Sequence, residues 1–297
     1  MDEHQVERVR HFNRTVTQRI GALGDRFMSR DRPLGEARVL WEIGDPEGVT
    51  IRSLRTRLDL DAGYVSRLLR SLEEDGMATV GPHPGDGRVR VARLTEEGVE
   101  ERALLDRLSD DLARSFLSPL SASQRDRLVE AMDTVERLLT AGLVEFRVAD
   151  PTSPEARRCL EAYFGELRER FEGGFDHARS ISAEADEITE PAGLLLLARL
   201  HGEPVGCGAL KFHGDEPAEL KRMWVDPSAR GLGLGRRILG ELEARARRRG
   251  VRTVRLETNR ALTEAIHLYR SAGYEEVDAF NDETYAHHWF EKRLGGG

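Results

Sequence analysis

The chain has little sulfur, almost no lysine and no long apolar run, and each shortage removes a class of answer. Among 297 residues only Cys159 and Cys207 are cysteines, too few for a disulfide framework. Lysine occurs only at 211, 221 and 292, so basic chemistry rests on arginine, which reads as compositional bias. The longest apolar stretch, Leu194 to Ala198, is far too short to cross a bilayer. The opening MDEHQVERVR alternates charges and lacks an apolar signal core. A cytoplasmic protein with no membrane partner is the expectation.

A hydrophobic fraction of 39%, a charged fraction of 33% and a net charge of -8 describe an acidic globular protein with no global sign of nucleic-acid binding, so any basic surface must be local. A chain of 33.4 kDa has room for two domains at roughly 100 to 200 residues each.

Residues 4–28 and 95–140 are long, charged and punctuated at helical period, whereas 34–75 breaks into three shorter helical runs. The interruption ATVGPHPGDGRVRVARLT places a Gly-, Pro- and Asp-rich turn between two strand-like runs, as in a hairpin. Helices followed by a hairpin predict a mainly α winged helix-turn-helix. Over 61–74, Asp61 is a plausible N-cap and Val65, Leu68, Leu69 and Leu72 form one buried stripe. The opposite face carries Ser66, Arg67 and Arg70, with Tyr64 to one side, side-chain types that reach guanine edges and phosphates. Residues 50–93 hold eight arginines against six acids, while residues 1–142 hold 22 basic and 26 acidic groups, so the positive balance is confined to this candidate reader.

The stretch LRTRLDLDAGYVSRLLRSLEEDGMATVGPHPGDGRVRVARLTEEG resembles the core of the MarR family of winged-helix regulators, in its SRLLRSLEEDG run, its Asp86-Gly87-Arg88 wing tip and its LTEEG helix start. The resemblance covers about residues 4–140. It implies a homodimer built by the first and last helices, recognition helices in successive major grooves of a double-stranded operator, and Arg88 in the minor groove with Asp86 orienting it. The wing VGPHPGDG, with two prolines, departs from the pattern.

After Leu139 the helical pattern stops. The order then reads strand 144–148, helix 154–171, a polar stretch, strands 193–200, 204–212 and 218–225, a glycine loop, helix 232–249, strand 252–257, helix 261–272 and strands around 274–280 and 284–293. This predicts a mixed α/β sheet. The loop RGLGLG lacks both the G-x-G-x-x-G of a dinucleotide fold and the G-K-[ST] of a P-loop. Glycines at a helix start let backbone amides converge on a pyrophosphate.

ELKRMWVDPSARGLGLGRRIL, then LETN, then AIHLYRSAGY follow the order strand, loop, helix, strand, helix, and over about residues 144–293 this resembles the GNAT superfamily of N-acetyltransferases. The resemblance implies acetyl-CoA as co-substrate and no metal. It also implies that Met223, Trp224 and Val225 offer backbone to the pantetheine and thioester, and that Arg230, Gly231, Gly233, Gly235 and Arg236 bind pyrophosphate. Asn259 is placed to contact the pantetheine arm and Tyr269 to protonate the departing thiolate. Glu219 is the best candidate for the base that deprotonates a primary amine, of a small molecule or a protein; a substrate anchor or a surface carboxylate are its alternatives. Cys207 reads as a small core residue.

The expected organisation is a MarR-like domain over 1–142 and an acetyltransferase over 143–297. The expected function is a bifunctional regulator and N-acetyltransferase. A regulator whose second domain only senses acetyl-CoA or an amine, and a dimeric acetyltransferase that does not bind DNA, are the alternatives.

Overall fold

A computed structural model describes residues 2–22, 32–44, 47–181, 183–214 and 216–295. They fall into two compact units, Met1–Ala131 and Met132–Gly297.

The elements of the first half are α1 (Glu3–Arg19), α2 (Leu34–Ile43), β1 (Val49–Thr50), α3 (Ile51–Leu58), α4 (Ala62–Glu74), β2 (Ala78–His83), β3 (Asp86–Leu94), α5 (Glu96–Leu117) and α6 (Ala122–Gly142). Positions 23–28 of the first expected helix lie outside the described residues. The expected 95–140 region is two helices, parted at 118–121 where Pro119 denies an amide to the ladder. Helix α4 starts where Asp61 Oδ1 accepts from the Tyr64 amide at 2.9 Å, which satisfies one orphan donor of the first turn. Val65, Leu68, Leu69 and Leu72 are buried against Ala37, Leu40 and Leu54 in the core of this half. Each such burial contributes about 1.5–3 kcal/mol.

Strands β2 and β3 pair antiparallel as the expected hairpin, and β1 adds to β3 through Val49 and Thr50, a third strand two residues long and too short to carry a period. The base of the hairpin is locked to α5. Thr95 caps α5 by accepting from the Gly98 amide at 3.0 Å and donates to the Gly76 carbonyl at 2.6 Å. A Cβ on Gly98 would stand 1.9 Å from the Met77 carbonyl oxygen, which is the physical reason for glycine in LTEEG.

The second half comprises β4 (Glu145–Ala149), α7 (Pro154–Arg170), β5 (Gly193–Leu200), β6 (Glu203–His213), β7 (Glu216–Val225), α8 (Leu234–Arg248), β8 (Thr253–Thr258), α9 (Thr263–Ser271), β9 (Glu275–Val277) and β10 (His288–Arg293). The sheet order is β4-β5-β6-β7-β8-β10-β9, antiparallel except for β7 with β8. This is the expected mixed sheet. One face packs Leu210, Leu220, Val254 and Leu256 against Ile238, Leu239 and Leu242 of α8; the other packs Leu195, Leu197, Cys207 and Trp224 against Ala156 and Cys159 of α7.

Strand β7 carries a bulge. Cys207 of β6 pairs with Trp224, but Ala209 pairs with Lys221, so Arg222 and Met223 together oppose Gly208. Arg222 takes a left-handed φ of 57° there. The last strand begins at His288 rather than 284, because residues 281–286 turn away and bond to the segment after α7.

Candidate functional site

In the first unit, Ser66, Arg67 and Arg70 are exposed opposite the buried stripe of α4, and Tyr64 is 37% exposed beside them. The Arg67 guanidinium stands 5.6 Å from the Tyr64 ring centroid, a cation–π contact that lays the arginine along the helix. Asp86 and Arg88 are exposed at the wing tip. Asp86 meets Arg88 at the backbone. Its Oδ1 accepts from the Arg88 backbone amide at 3.0 Å, because so short a carboxylate reaches the amide two residues on and shapes the turn.

In the second unit the parallel pair β7–β8 holds at only two register positions, Ala218 with Val254 and Glu219 with Arg255. Beyond them β7 stays with β6 and β8 stays with β10, so the two strands part and leave a cleft. Two cavities occupy it and share Tyr163, Leu167, Met223, Leu262, Ala265 and Tyr269.

The larger cavity, about 580 Å³, is lined by Met223, Trp224, Val225, Arg230, Gly231, Gly233, Gly235 and Arg236, which brings together eight of the nine residues expected at the coenzyme. Gly231 and Gly233 take left-handed φ values of 85° and 70°. Gly233 is the N-cap of α8 and supplies no side-chain acceptor, so the first-turn amides remain open to an anion. A Cβ on Gly235 would lie 3.3 Å from the Leu268 side chain. These features suit a pyrophosphate-bearing group.

The arginines of this cavity are already engaged. Arg236 donates to the Ser271 hydroxyl at 2.6 Å. Arg230 is paired with Glu166 of α7, and Glu166 also accepts from Trp224 Nε1 at 2.8 Å and from Arg170 at 3.0 Å. Burial pushes the Glu166 carboxyl up, but Arg170, Trp224 and Arg230 more than offset it and hold it below the usual range. The pair with Arg170 is local, i to i+4 on α7, but Trp224 and Arg230 reach Glu166 only in the fold.

The smaller cavity, about 100 Å³, adds Phe171, Phe175, Lys221, Glu257, Glu283 and Tyr285. Asn259 lines this one, and its side chain is spent internally, Nδ2 on the Tyr285 carbonyl at 2.7 Å and Oδ1 on the Ala261 amide at 2.9 Å. Tyr269 is 5% exposed where the cavities meet. Burial above all, helped by Tyr163 and Glu257, raises its pKa and keeps the phenol protonated.

Glu219 is not brought to either cavity. It is buried with its Oε1 on Arg255 at 2.8 Å and its Oε2 3.3 Å from Lys221. Burial raises its pKa, yet the Lys221 and Arg255 charges win and hold it below the ordinary carboxylate range, which works against duty as a base. Glu257, one of two carboxylates that line the smaller cavity, lies in the LETN run but carries no signature of its own. It is paired with Lys221. Cys207 is fully buried, its thiol pushed up by a hydrogen bond with the Cys159 thiol and by burial, as a core residue should be.

A mixed sheet with one splayed parallel pair, a glycine-capped helix at the mouth of the splay and a buried phenol at its centre define an acyl-CoA-dependent transferase beside a winged-helix unit. The chain belongs to the GNAT acetyltransferase family, whose model matches residues 160–274, and a MarR family model matches residues 31–89. It is similar to an IAA acetyltransferase of Azospirillum brasilense, 34% identical over 122 residues, 41% of this chain and 75% of that protein. It is also similar to the HTH-type transcriptional repressor IacR of Pseudomonas putida, 26% identical over 98 residues, 33% of this chain and 59% of that protein. A GNAT acetyltransferase structure from Staphylococcus aureus is 16% identical with a TM-score of 0.44, covering 51% of this chain and 99% of that one. The second half is thus an acyl-CoA-dependent N-acetyltransferase with acetyl-CoA as co-substrate. Among the described residues no helix is long and apolar enough to cross a membrane.

Proposed function

We propose that the chain is a bifunctional regulator and enzyme: a MarR-like DNA-binding domain over 1–142, dimeric through its long helices, joined to an N-acetyltransferase over 143–297 that acts on a primary amine. The observation that carries the catalytic reading is Tyr269, a buried phenol at the junction of two cavities inside the β7–β8 splay.

Bound acetyl-CoA would supply an activated thioester. Gly231, Gly233, Gly235 and the open amides of α8 hold its pyrophosphate, and Arg236 borders the same cavity. Arg230 joins them by leaving Glu166, an exchange of one anion for another. The backbone of Met223 to Val225, free of β8, orients the pantetheine arm. Tyr269 Oη gives a proton to the sulfur as it departs. Asn259 holds the cavity wall through Tyr285 and Ala261. Glu257, rather than Glu219, receives the ammonium of the acceptor and takes its proton, so that the neutral amine attacks the thioester carbon as the C–S bond breaks, and Glu219 keeps Lys221 and Arg255 in place.

In the DNA-binding half, Ser66, Arg67 and Arg70, with Tyr64, enter the major groove and Arg88 follows the wing. Purified protein with acetyl-CoA and a panel of amines, read by thiol release, tests the enzyme. Coenzyme binding without turnover of any amine would turn the reading toward a sensor. Competition between genomic fragments and random DNA tests the regulator, and equal binding to both would leave a dimeric enzyme.

A further inference from the structure

The cavity on the far side of Tyr269 from the glycine loop has a chemical character of its own. Three of its wall rings touch one another: the Phe171, Phe175 and Tyr285 centroids stand 4.9–5.8 Å apart. At about 100 Å³, the space approaches the ~150 Å³ of an apolar cavity that accepts benzene. A single six-membered ring is therefore the scale of guest that the walls suit, and its faces or edges would meet aromatic surface.

The charges narrow the guest further. Lys221 and Arg222 line the cavity beside Glu257 and Glu283. Lys221 is committed to Glu257 and Glu219; Arg222 lies over the Phe164 ring at 4.4 Å and bonds to His177 and the Ala183 carbonyl, both at 3.0 Å. Two fixed cations oppose a guest with several ammonium groups, because each further charge would be brought against them at low dielectric. One ammonium has a place, on Glu257, whose charge is near enough to Tyr269 to act on its phenol.

The walls are also bonded to one another. The Asp176 amide donates to Tyr285 Oη at 2.9 Å, and Glu283 accepts from the Ser180 hydroxyl at 2.9 Å and the Ile181 amide at 2.6 Å. The segment after α7 is thereby tied to the loop before β10. These bonds hold the walls around a space of about 100 Å³, which suits a small molecule rather than an extended peptide.

From the rings, the charges and the bonded walls together we infer that the acceptor is a small monoamine carrying one aromatic ring, the ring seated against Phe171, Phe175 and Tyr285 and the ammonium on Glu257. This rests on the N-acetyltransferase reading and names its substrate class.

The test uses the full chain with acetyl-CoA and compares kcat/KM for phenethylamine, hexylamine, spermidine and a lysine-containing peptide, with acetyl-CoA affinity measured alongside. The expected result is phenethylamine ahead of hexylamine by about tenfold, the order of one aromatic contact of 0.5–1.5 kcal/mol at each of two rings, and ahead of the other two by more. Phe175→Leu should erase most of the lead over hexylamine while acetyl-CoA affinity stays unchanged; the wild-type comparison decides alone if that variant does not fold. Hexylamine, spermidine or the peptide turned over as well as phenethylamine would overturn this inference and leave the transferase reading standing. Tight acetyl-CoA binding with no turnover of any of the four would remove the small-amine reading itself.

Discussion

The two halves of the chain use arginine in opposite ways. Arg67, Arg70 and Arg88 stand exposed on a helix and a wing, so a polyanion meets them at the cost only of displacing water and counterions. Arg230, Arg236 and Arg222 each have a partner within the second half before any ligand arrives. A surface reader adds its contacts and loses them uniformly with salt. A cleft exchanges contacts, so its affinity is the difference between what the ligand offers and what the protein gives up.

That contrast is sharpened most by a group with almost no exposure to lose. Tyr269→Phe keeps the ring against Tyr274 and Phe290 and deletes one proton, so kcat should fall by about 10²–10⁴ with acetyl-CoA affinity retained. A Phe variant with full kcat would sink the assignment. Because the phenol is pushed above its ordinary value of 10, the protonated form should persist through pH 10 and no alkaline loss of kcat should appear below it. Gly233→Val comes next: a β-branched residue forced to a φ of 70° is strained by roughly 1–3 kcal/mol and also shadows the α8 amides, for a loss of about 100-fold in acetyl-CoA affinity by calorimetry.

On the exposed side, Arg67→Ala and Arg70→Ala should each weaken operator binding by about 1–3 kcal/mol if bidentate to guanine. A side chain that meets only phosphate should instead weaken all sequences alike and flatten the salt slope by about one. The exchange idea makes a prediction of unusual sign. Glu166→Gln keeps an acceptor for Trp224 but releases Arg230, so acetyl-CoA should bind about fivefold tighter, the worth of a partly exposed ion pair of about 1 kcal/mol. A structural role for Glu166 alone could only weaken binding. The smallest effect on activity belongs to Glu219→Gln, which should leave kcat within about twofold, as a carboxylate outside the cavities should. Its signature lies in stability: with its pKa held below the ordinary 4.5, Glu219 contributes above that value, and the contribution is lost as pH falls beneath it. The melting temperature of the wild type should therefore drop more steeply than that of the variant on acidification.

What could be read from sequence followed how local the cause is. The stripe Val65, Leu68, Leu69 and Leu72 is a period, the cap Asp61 is a single hydrogen bond, and the glycines at 231 and 233 are backbone conformations, so all three were legible one residue at a time. Glu166 was not, since its three partners come from α7 itself, β7 and the glycine loop. Glu219 misled for the same reason. On the strand before the loop it is a carboxylate in the right neighbourhood, but Arg255 arrives only through the parallel pairing with β8. Asn259 lines the smaller cavity, and of its two hydrogen bonds the one to Ala261 is local while the other depends on a loop 26 residues later. The smaller cavity takes Phe171 and Phe175 from one segment and Tyr285 from a distant loop, and no spacing announces that meeting.

The extra residue in β7 behaves like a shift of reading frame in the alternation of side chains. Up to Lys221, odd positions face α7 and even positions face α8; from Trp224 onward the assignment is reversed. Deleting one residue at Arg222–Met223 would restore unbroken alternation with Trp224 still opposite Cys207 on the α7 face, so the bulge is what lets the strand take an extra residue without turning its later side chains over. The frame also has a use: the half of the strand that anchors the sheet and the half that borders the larger cavity obey separate rules, so substitutions in one need not be compensated in the other.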